Sequence, residues 1–342
     1  MITKYVRSRR CVLWDFSYGE NMKQTQRTGN PYPNSDSNKR YYTYDYYLKQ
    51  TFGGKCAKIP IDAGFTCPNI DGRCGVGGCI YCSARGSGDF AEGRGLSVAE
   101  QYRITREKLS GKWSTERCIP YFQAHTNTYA PTARLRELFE EAVALPGAVG
   151  LNIATRADCL ADDAVAYLAE LAERTVLTVE LGLQSTSDET ASRINRGHTY
   201  EAFVEGYQGL RRASDKIGIC VHLILGLPGE DDGMMMQSVR DLAALRPDQV
   251  KLHLLHVLRS SRLAEIYERG EYIPLEREHY IDLVVKALTL LPSETVIARL
   301  TGDGMGEDLL APDWSRKKVS VINDIDKRLY ELDLWQGKYF TQ

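Results

Sequence analysis

From residue 58 onward the chain alternates short apolar runs with longer amphipathic segments, and this alternation restricts the fold more than any other feature of the sequence. The short runs, which predict β-strands, cover residues 58–62, 119–123, 149–154, 176–184, 218–226 and 249–257. Helical periodicity occurs near residues 97–109, 132–144, 161–173, 200–213 and 232–245. Such a repeated change of period is typical of βαβ units, which build parallel sheets. The sequence therefore predicts an α/β fold with a sheet that is either doubly wound or curled into an incomplete barrel.

The two ends of the chain depart from this central pattern. Residues 1–40 are polar and rich in turn-forming residues, which predicts a poorly ordered extension, and Met22 is a candidate natural start that would leave residues 1–21 outside the native chain. After the central domain, residues 41–260, the order of elements changes to a helix near 275–290, a strand near 294–300 and a basic helix near 314–331. We interpret residues 261–342 as a small C-terminal α+β domain.

Charge and hydropathy exclude some classes of partner. The 43 Lys and Arg residues against 45 Asp and Glu residues give a net charge of -2, so no global field attracts nucleic acid or anionic lipid. The longest apolar run, residues 217–227, falls well short of the roughly twenty residues that a membrane helix needs. Asp15 ends the short run at residues 11–14 before it reaches the length of a signal-peptide core. These features predict a cytoplasmic protein without a membrane segment.

The cysteines are clustered, since four of the nine lie within residues 67–82. This distribution favours metal binding in a reducing compartment over a disulfide framework. Cys67, Cys79 and Cys82 can bind three irons of a [4Fe-4S] cluster and leave the fourth iron without a protein ligand. S-adenosylmethionine (SAM) can chelate that iron through its amino and carboxylate groups, and an electron from the reduced cluster then cleaves it to methionine and a 5'-deoxyadenosyl radical.

Cys74 leaves an alternative open, because it provides a fourth thiol for a structural zinc ion. Zinc sites with four cysteines generally use two separated pairs of ligands, whereas these four cysteines lie in one glycine-rich loop with spacings of six, four and two residues. The spacing favours the cluster.

Polar residues near the ends of the predicted strands indicate a ligand site, because parallel α/β folds bind ligands at the carboxyl ends of their strands. In the fourth strand, alternation places Glu180 and Gln184 on the inward face, where a ribose or an amino group of SAM would satisfy them. Gln123 and Thr126 lie at the tip of the second strand, and Gly226 lies in the bend after the fifth. The alternative is that Gln123, Thr126 and Gly226 belong to ordinary strand-ending loops without a ligand.

Two histidines of the sixth predicted strand, His253 and His256, are three residues apart and should therefore lie on opposite faces. This spacing argues against a shared metal ion. We interpret one as inward-facing and the other as structural.

The chain resembles the YhcC-like radical SAM proteins, which are relatives of the catalytic subunit of Elongator. The resemblance covers nearly everything from residue 40 to the end. It is carried by the stretches RYYTYDYYLKQTFG, DAGFTCPN, GGCIYC, FQAHTNTYAP, ATRADCL, ELGLQSTSDETASRINRGH, HLILGLPGE, KLHLLHV, TGDG and APDWSRKK. It implies a partial (β/α)6 TIM-like radical SAM barrel, with the cluster loop after the first strand, followed by a C-terminal domain that the Elongator relative shares.

The resemblance also implies contacts to SAM. In the wider group that includes the oxygen-independent coproporphyrinogen oxidases, the positions matching Gln184, Arg196 and His222 touch SAM, although His222 stands where those relatives carry an acidic residue. Thr126 falls where the motif for the SAM amino group lies. Ala154 replaces a SAM-binding glutamate of the relatives.

Two functions from different classes follow. The first is a radical SAM enzyme of unassigned substrate, with RNA as a candidate by analogy with Elongator and by the basic segment at residues 316–328, and with a reductant such as flavodoxin or ferredoxin as partner. The second is a non-catalytic zinc- or cluster-containing protein that binds nucleic acid. The chain lacks the acetyltransferase domain of Elongator, so the use of acetyl-CoA is not implied.

Overall fold

The structure is a computed structural model that describes residues 29–83, 85–86, 91, 95–302 and 306–341. Its strands are β1 Ala57–Ile61, β2 Cys118–Phe122, β3 Gly150–Thr155, β4 Val176–Gln184, β5 Gly218–Leu225, β6 Gln249–Leu254, β7 Val257–Leu258, β8 Val296–Arg299 and β9 Leu309–Ala311. Its helices are α1 Tyr44–Phe52, α2 Val98–Ser110, α3 Thr132–Val143, α4 Asp162–Ala172, α5 Asp188–Arg193, α6 Tyr200–Ala213, α7 Asp232–Leu245, α8 Arg262–Glu268, α9 Arg277–Leu290 and α10 Lys318–Glu331.

Seven strands form one parallel sheet in the order β1-β2-β3-β4-β5-β6-β8. Because the order follows the chain and never reverses, right-handed crossovers place the helices on one face of the sheet, and the opposite face curls inward. This order rules out the doubly wound alternative and confirms a partial barrel. Strand β8, which was predicted as part of the C-terminal unit, pairs with β6 and adds a seventh strand to the sheet.

The two faces of β4 show how the sequence produces this arrangement. Val179, Leu181 and Leu183 alternate along the strand and belong to the main apolar core. Thr178 and Glu180 point the other way, and both are buried. Because successive side chains of a strand point to opposite faces, an apolar outer face under the helices leaves a polar inner face.

Local capping explains where several of the helices begin. Ser97 and Glu100 form a reciprocal capping box at the start of α2. The side chains of Thr199 and Asp231 accept backbone hydrogen bonds at the starts of α6 and α7. Each cap satisfies a backbone N–H group that the first turn of a helix leaves without a partner. None of the described helices combines the length and the apolar character that crossing a bilayer requires.

The C-terminal segment packs on the barrel and continues its sheet. Helix α9 packs against α7 and α10. Within the predicted N-terminal extension, Tyr32 and Arg40 are buried, and Arg40 donates hydrogen bonds to carbonyl groups of Leu329 and Leu334. Residues 1–28, which include Met22, and residues 303–305, which include the end of the TGDG stretch, lie outside the described part of the chain.

Candidate functional site

A cavity of about 310 Å³ lies at the carboxyl ends of the barrel strands. The loop after β1 contributes three sulfur-bearing residues to its wall, Cys67, Cys79 and Cys82. The ends of β2, β3, β4 and β6 contribute polar and apolar residues to the remainder. A cavity of this volume, at this end of a parallel barrel, has the size and position of a small-molecule site.

Asn69 connects two of the three cysteines to the rest of the barrel through hydrogen bonds. The Cys67 thiol donates a hydrogen bond to Asn69 Oδ1 at 2.8 Å, and Asn69 Nδ2 lies 3.4 Å from Cys79 Sγ. The same Nδ2 donates to the Asn195 carbonyl at 2.9 Å, and Asn195 Nδ2 donates to the Gly78 carbonyl at 2.6 Å. The cysteine loop is therefore held by the segment that follows α5.

The surroundings of Cys79 favour its ionised form. A hydrogen bond from Cys82 lowers the pKa of the Cys79 thiol well below its usual range and outweighs the opposing effect of burial, and the positive charge of Arg196 lowers this pKa further. The pKa of the Cys82 thiol is raised, because this thiol donates a hydrogen bond to Cys79 and is buried. The thiolate is the form that binds metal, so the loop is prepared for a metal group.

The spacing of the sulfur atoms does not match a single zinc ion. With Zn–S bonds of about 2.3 Å, tetrahedral geometry places the sulfurs about 3.8 Å apart. No three cysteine sulfurs of the described chain lie within 4.8 Å of one another. Cys74 is exposed and does not line the cavity, and its sulfur lies 3.7 Å from Nη2 of Arg156. A cluster, in which each thiolate binds a different iron, tolerates the wider spacing.

Arg196 and Gln184, two of the residues predicted to contact SAM, lie next to each other beside Gly182. Arg196 is buried, and its Nη2 donates a hydrogen bond to the Gly182 carbonyl. A Cβ atom on Gly182 would lie 2.7 Å from Gln184 Nε2 and 3.0 Å from Arg196 Nη2, so a larger residue would displace the ends of both side chains. Nε of Arg196 is buried and has no hydrogen-bond partner among the described residues. A buried guanidinium with a donor to spare fits the carboxylate of SAM.

The remaining predicted contacts divide into two groups. Gln123, Thr126 and His222 line the cavity. Gly226 does not, because its carbonyl accepts a hydrogen bond from Tyr272 Oη at 2.8 Å and its backbone packs against Leu275. The bend after β5 therefore faces the segment before α9.

The prediction that one of His253 and His256 faces inward and the other is structural was wrong, because both histidines line the cavity. The predicted strand continued through residue 257, but β6 ends at Leu254. Beyond that residue, the alternation of a strand no longer decides where a side chain points.

Glu180 accepts hydrogen bonds from side chains on five other strands, which makes it the centre of the cavity floor. These donors are Lys58 Nζ at 2.8 Å, Tyr121 Oη at 2.7 Å, Asn152 Nδ2 at 2.7 Å, His222 Nε2 at 3.0 Å and Lys251 Nζ. The sequence predicted that a ribose or an amino group of SAM would supply its partners, whereas in the structure protein donors bond to both oxygens. Lys58, Tyr121 and Lys251 were missed in the sequence, where the signal was an ionisable or phenolic group within an apolar strand.

Burial and opposing charges set the ionisation of this network. Burial alone would raise the pKa of Glu180, but Lys251 and Lys58 outweigh it and hold that pKa well below the usual range. Burial lowers the pKa of Lys251 to about 8, although Glu180 opposes the shift. Burial and the charge of Lys251 lower the pKa of His222 to about 4, so its imidazole is neutral near pH 7.

The floor also contains three potential metal ligands, Glu180, Cys220 and His222, whose donor atoms lie within 4.8 Å of one another. Both oxygens of Glu180 are already bonded to ammonium groups, those of Lys58 and Lys251. A divalent cation would have to displace these lysines, so this group is better described as an ion-pair network.

Two domain families match successive parts of the sequence. The Radical SAM superfamily matches residues 70–242, and the Radical_SAM C-terminal domain matches residues 247–331. YtqA of Bacillus subtilis is 45% identical over 313 residues, which are 92% of this chain and 97% of YtqA. YhcC of Escherichia coli is 33% identical over 285 residues, which are 83% of this chain and 90% of YhcC.

More distant similarity extends to a tRNA uridine(34) acetyltransferase and to an Elp3 protein. The tRNA uridine(34) acetyltransferase of Methanocaldococcus jannaschii is 30% identical over 158 residues, and these cover 45% of this chain and 28% of that enzyme. The archaeal Methanocaldococcus infernus Elp3 shares the fold with a TM-score of 0.60 at 19% identity, over 82% of this chain and 64% of that one.

Proposed function

The chain belongs to the radical SAM superfamily and, within it, to the YhcC-like family related to Elp3, and from this premise we propose that it reductively cleaves SAM to generate a 5'-deoxyadenosyl radical. Its cofactors are those of the family, a [4Fe-4S] cluster and SAM. When bound, the reduced cluster supplies the electron that breaks the sulfonium bond of SAM. The observation that carries the proposal is that three cysteines and Arg196 line one cavity.

Cys67, Cys79 and Cys82 would hold the cluster. Cys79 supports this role because its pKa is already lowered by its neighbours, and Asn69 restrains Cys67 and Cys79 together. Two observations disfavour the alternative of a structural zinc ion. Cys74 lies outside the cavity, and no three cysteine sulfurs of the described residues lie within 4.8 Å of one another, as ligands of one ion would.

Arg196, Gln184, Gln123 and Thr126 would orient SAM. The buried guanidinium of Arg196 offers Nε to a carboxylate next to the cysteine loop. Tyr81, which lies between the last two cysteines and lines the cavity, would keep water away from that side of the site. These residues bind and shield, and the radical chemistry belongs to the cofactors.

RNA is our candidate substrate, because the M. jannaschii relative that matches part of this chain is named as a tRNA uridine(34) acetyltransferase. The basic segment near the C-terminus contributes less to this proposal than its sequence suggested. Arg316 bonds to Asp313 and to two carbonyl groups, and Arg328 bonds to Glu278 and Asp282. These arginines stabilise the fold of the C-terminal segment instead of forming an open basic surface.

The test is anaerobic reconstitution with iron and sulfide, reduction by dithionite or by flavodoxin, and quantification of 5'-deoxyadenosine and methionine. Wild type should form both products, and Cys79→Ala should form neither. Cys56→Ala is the matched control, since Cys56 is a partly exposed cysteine outside the cavity and should not affect turnover. A cluster-loaded wild type that forms neither product contradicts the proposal.

A further inference from the structure

Two cationic side chains, Lys251 and Arg299, and the neutral imidazole of His222 form a row along the part of the cavity floor that the last strands of the barrel build. His222 on β5 pairs in register with Lys251 on β6, and Lys251 pairs with Arg299 on β8. Register partners on neighbouring strands lie roughly 4.8 Å apart and point to the same face of a sheet. All three side chains line the cavity. We refer to His222, Lys251 and Arg299 as the basic row.

Lys251 has hydrogen-bonding capacity that the described protein does not use. Its ammonium donates to Glu180 Oε2 and to the Tyr121 hydroxyl, the latter at 3.2 Å. An ammonium has three donors, and these are its two acceptors among the described residues. One donor therefore remains for a ligand in the cavity.

The charges on the floor also leave positive charge in excess. Lys58 and Lys251 both pair with Glu180, so two ammonium groups share a single carboxylate. Among the described residues that line the cavity, Glu180 is the only carboxylate, and Arg196, Lys251 and Arg299 line it as cations. A fourth cation of the lining, Arg156, is neutralised by its ion pair with Asp158. Buried positive charge of this kind is stabilised when a ligand brings a negative charge into contact with it.

The basic row differs in position from the part of the cavity that would hold SAM. The cysteine loop follows β1, the first strand, and Arg196 contacts that loop through Cys79. The basic row belongs to the last three strands of the sheet. His222 is the register partner of Gly182, to which Arg196 bonds, so it borders the SAM end of the cavity. Lys251 and Arg299 lie one and two strands further along the sheet and can contact a second molecule while SAM occupies the end near the cysteines.

We propose that Lys251 and Arg299 bind an oxyanion of the substrate, either a carboxylate or a phosphate. The planar guanidinium of Arg299 can hold two oxygens, and the ammonium of Lys251 acts as a point charge. His222 does not contact the oxyanion in this proposal. Its Nε2 donates to Glu180 and helps to hold the carboxylate that positions Lys251. The inference rests on the proposed function, because it assumes that the substrate enters the cavity that binds SAM.

Calorimetric titration of the cluster-loaded, oxidised protein, saturated with SAM, tests this directly. The probes are sodium phosphate and sodium acetate, used separately at constant ionic strength. Wild type should bind one anion per chain with saturation, and the stronger of the two probes identifies the oxyanion as phosphate or carboxylate. Lys251→Met and Arg299→Gln should each weaken binding by roughly ten- to hundredfold. The exposed Lys317→Met is the matched control and should leave binding unchanged.

Three outcomes would overturn the inference: a wild type that neither anion saturates, variants that bind both anions as wild type does, and variants whose affinity for SAM falls as much as their affinity for the anion. The last result would assign the two cations to SAM. Because Lys251 is buried in an ion-pair network, Arg299→Gln keeps the test valid if Lys251→Met does not fold.

Product analysis separates this inference from the proposed function. A wild type that binds the anion but forms no 5'-deoxyadenosine refutes the proposed function. A wild type that forms product without binding the anion refutes only this inference.

Discussion

Arg196 Nη1 lies 3.9 Å from the sulfur of Cys79, a residue 117 positions earlier in the chain. The guanidinium is fixed in this position, since it also donates to the carbonyl of Gly182 on β4. One arginine thus connects the cysteine loop with the strand that carries the centre of the cavity floor. Its positive charge favours a thiolate at Cys79 and, in the proposed complex, would also face the carboxylate of SAM.

Replacing single cysteines should separate the cluster ligands from the neighbouring thiol. We expect Cys79→Ala to retain less than about a tenth of the wild-type iron after reconstitution, because one of three thiolates is lost. Cys74→Ala should retain the cluster, since Cys74 is exposed and lies outside the cavity. Iron and acid-labile sulfide assays measure both. Equal loss in the two variants would refute the ligand assignment.

Asn69→Ala should weaken the cluster without removing a ligand, because Asn69 bonds to Cys67, to Cys79 and to the carbonyl of Asn195. Residues that orient metal ligands typically contribute ten- to hundredfold in affinity, and we expect a loss of about that size. Competition with an iron chelator measures it. Asn152→Ala is the matched control, since Asn152 is also buried but bonds to Glu180, and its cluster should resist the chelator as wild type does. Unchanged chelator resistance in Asn69→Ala would show that the loop positions its cysteines without this side chain.

Sequence periodicity predicted most of the barrel and missed its shortest parts. Strand β4 and helices α6 and α7 begin and end where the pattern places them. Helices α5 and α8 have only 6 and 7 residues, which is too few for a clear helical period. Strand β8 was predicted, but nothing local to the chain indicates which sheet a strand joins.

The floor of the cavity could be predicted only in part, for a physical reason. Glu180 was identified because a carboxylate on the inner face of an apolar strand needs partners. Those partners come from five other strands, and only the register of the whole sheet brings Lys58 and Lys251 to the same carboxylate. Pairing over 122 and 71 positions of the chain has no local signature in the sequence.

Gly182→Ala should impair SAM binding in addition to destabilising the fold. The new methyl group would collide with the ends of Gln184 and Arg196, the two side chains proposed to contact SAM. We expect a loss of about 1–3 kcal/mol in stability from overpacking and roughly a tenfold loss of SAM affinity. Gly209→Ala in α6 is the matched control, because a Cβ there meets nothing within 4 Å, and it should gain about 0.5–1 kcal/mol. Denaturant unfolding and calorimetry with SAM provide the two measurements, and unchanged SAM affinity in Gly182→Ala would contradict the proposed contacts.

Glu180→Gln should destabilise the protein in a pH-dependent way. The substitution leaves Lys58 and Lys251 buried without a counter-charge, which costs about 3–5 kcal/mol near neutral pH. Because the pKa of Glu180 is depressed in the folded state, its stabilising effect is complete above the unfolded pKa of about 4.3 and is lost as the pH falls through the folded pKa. The difference between wild type and variant should therefore shrink as the pH is lowered from 5 to about 3, through the range in which the Glu180 carboxylate takes up its proton. Urea unfolding at these pH values measures it, with Glu107→Gln as the control, since Glu107 forms an exposed ion pair whose loss should change little at any pH. A difference that persists undiminished in acid would mean that Glu180 stabilises the barrel by packing and hydrogen bonding and not by its charge.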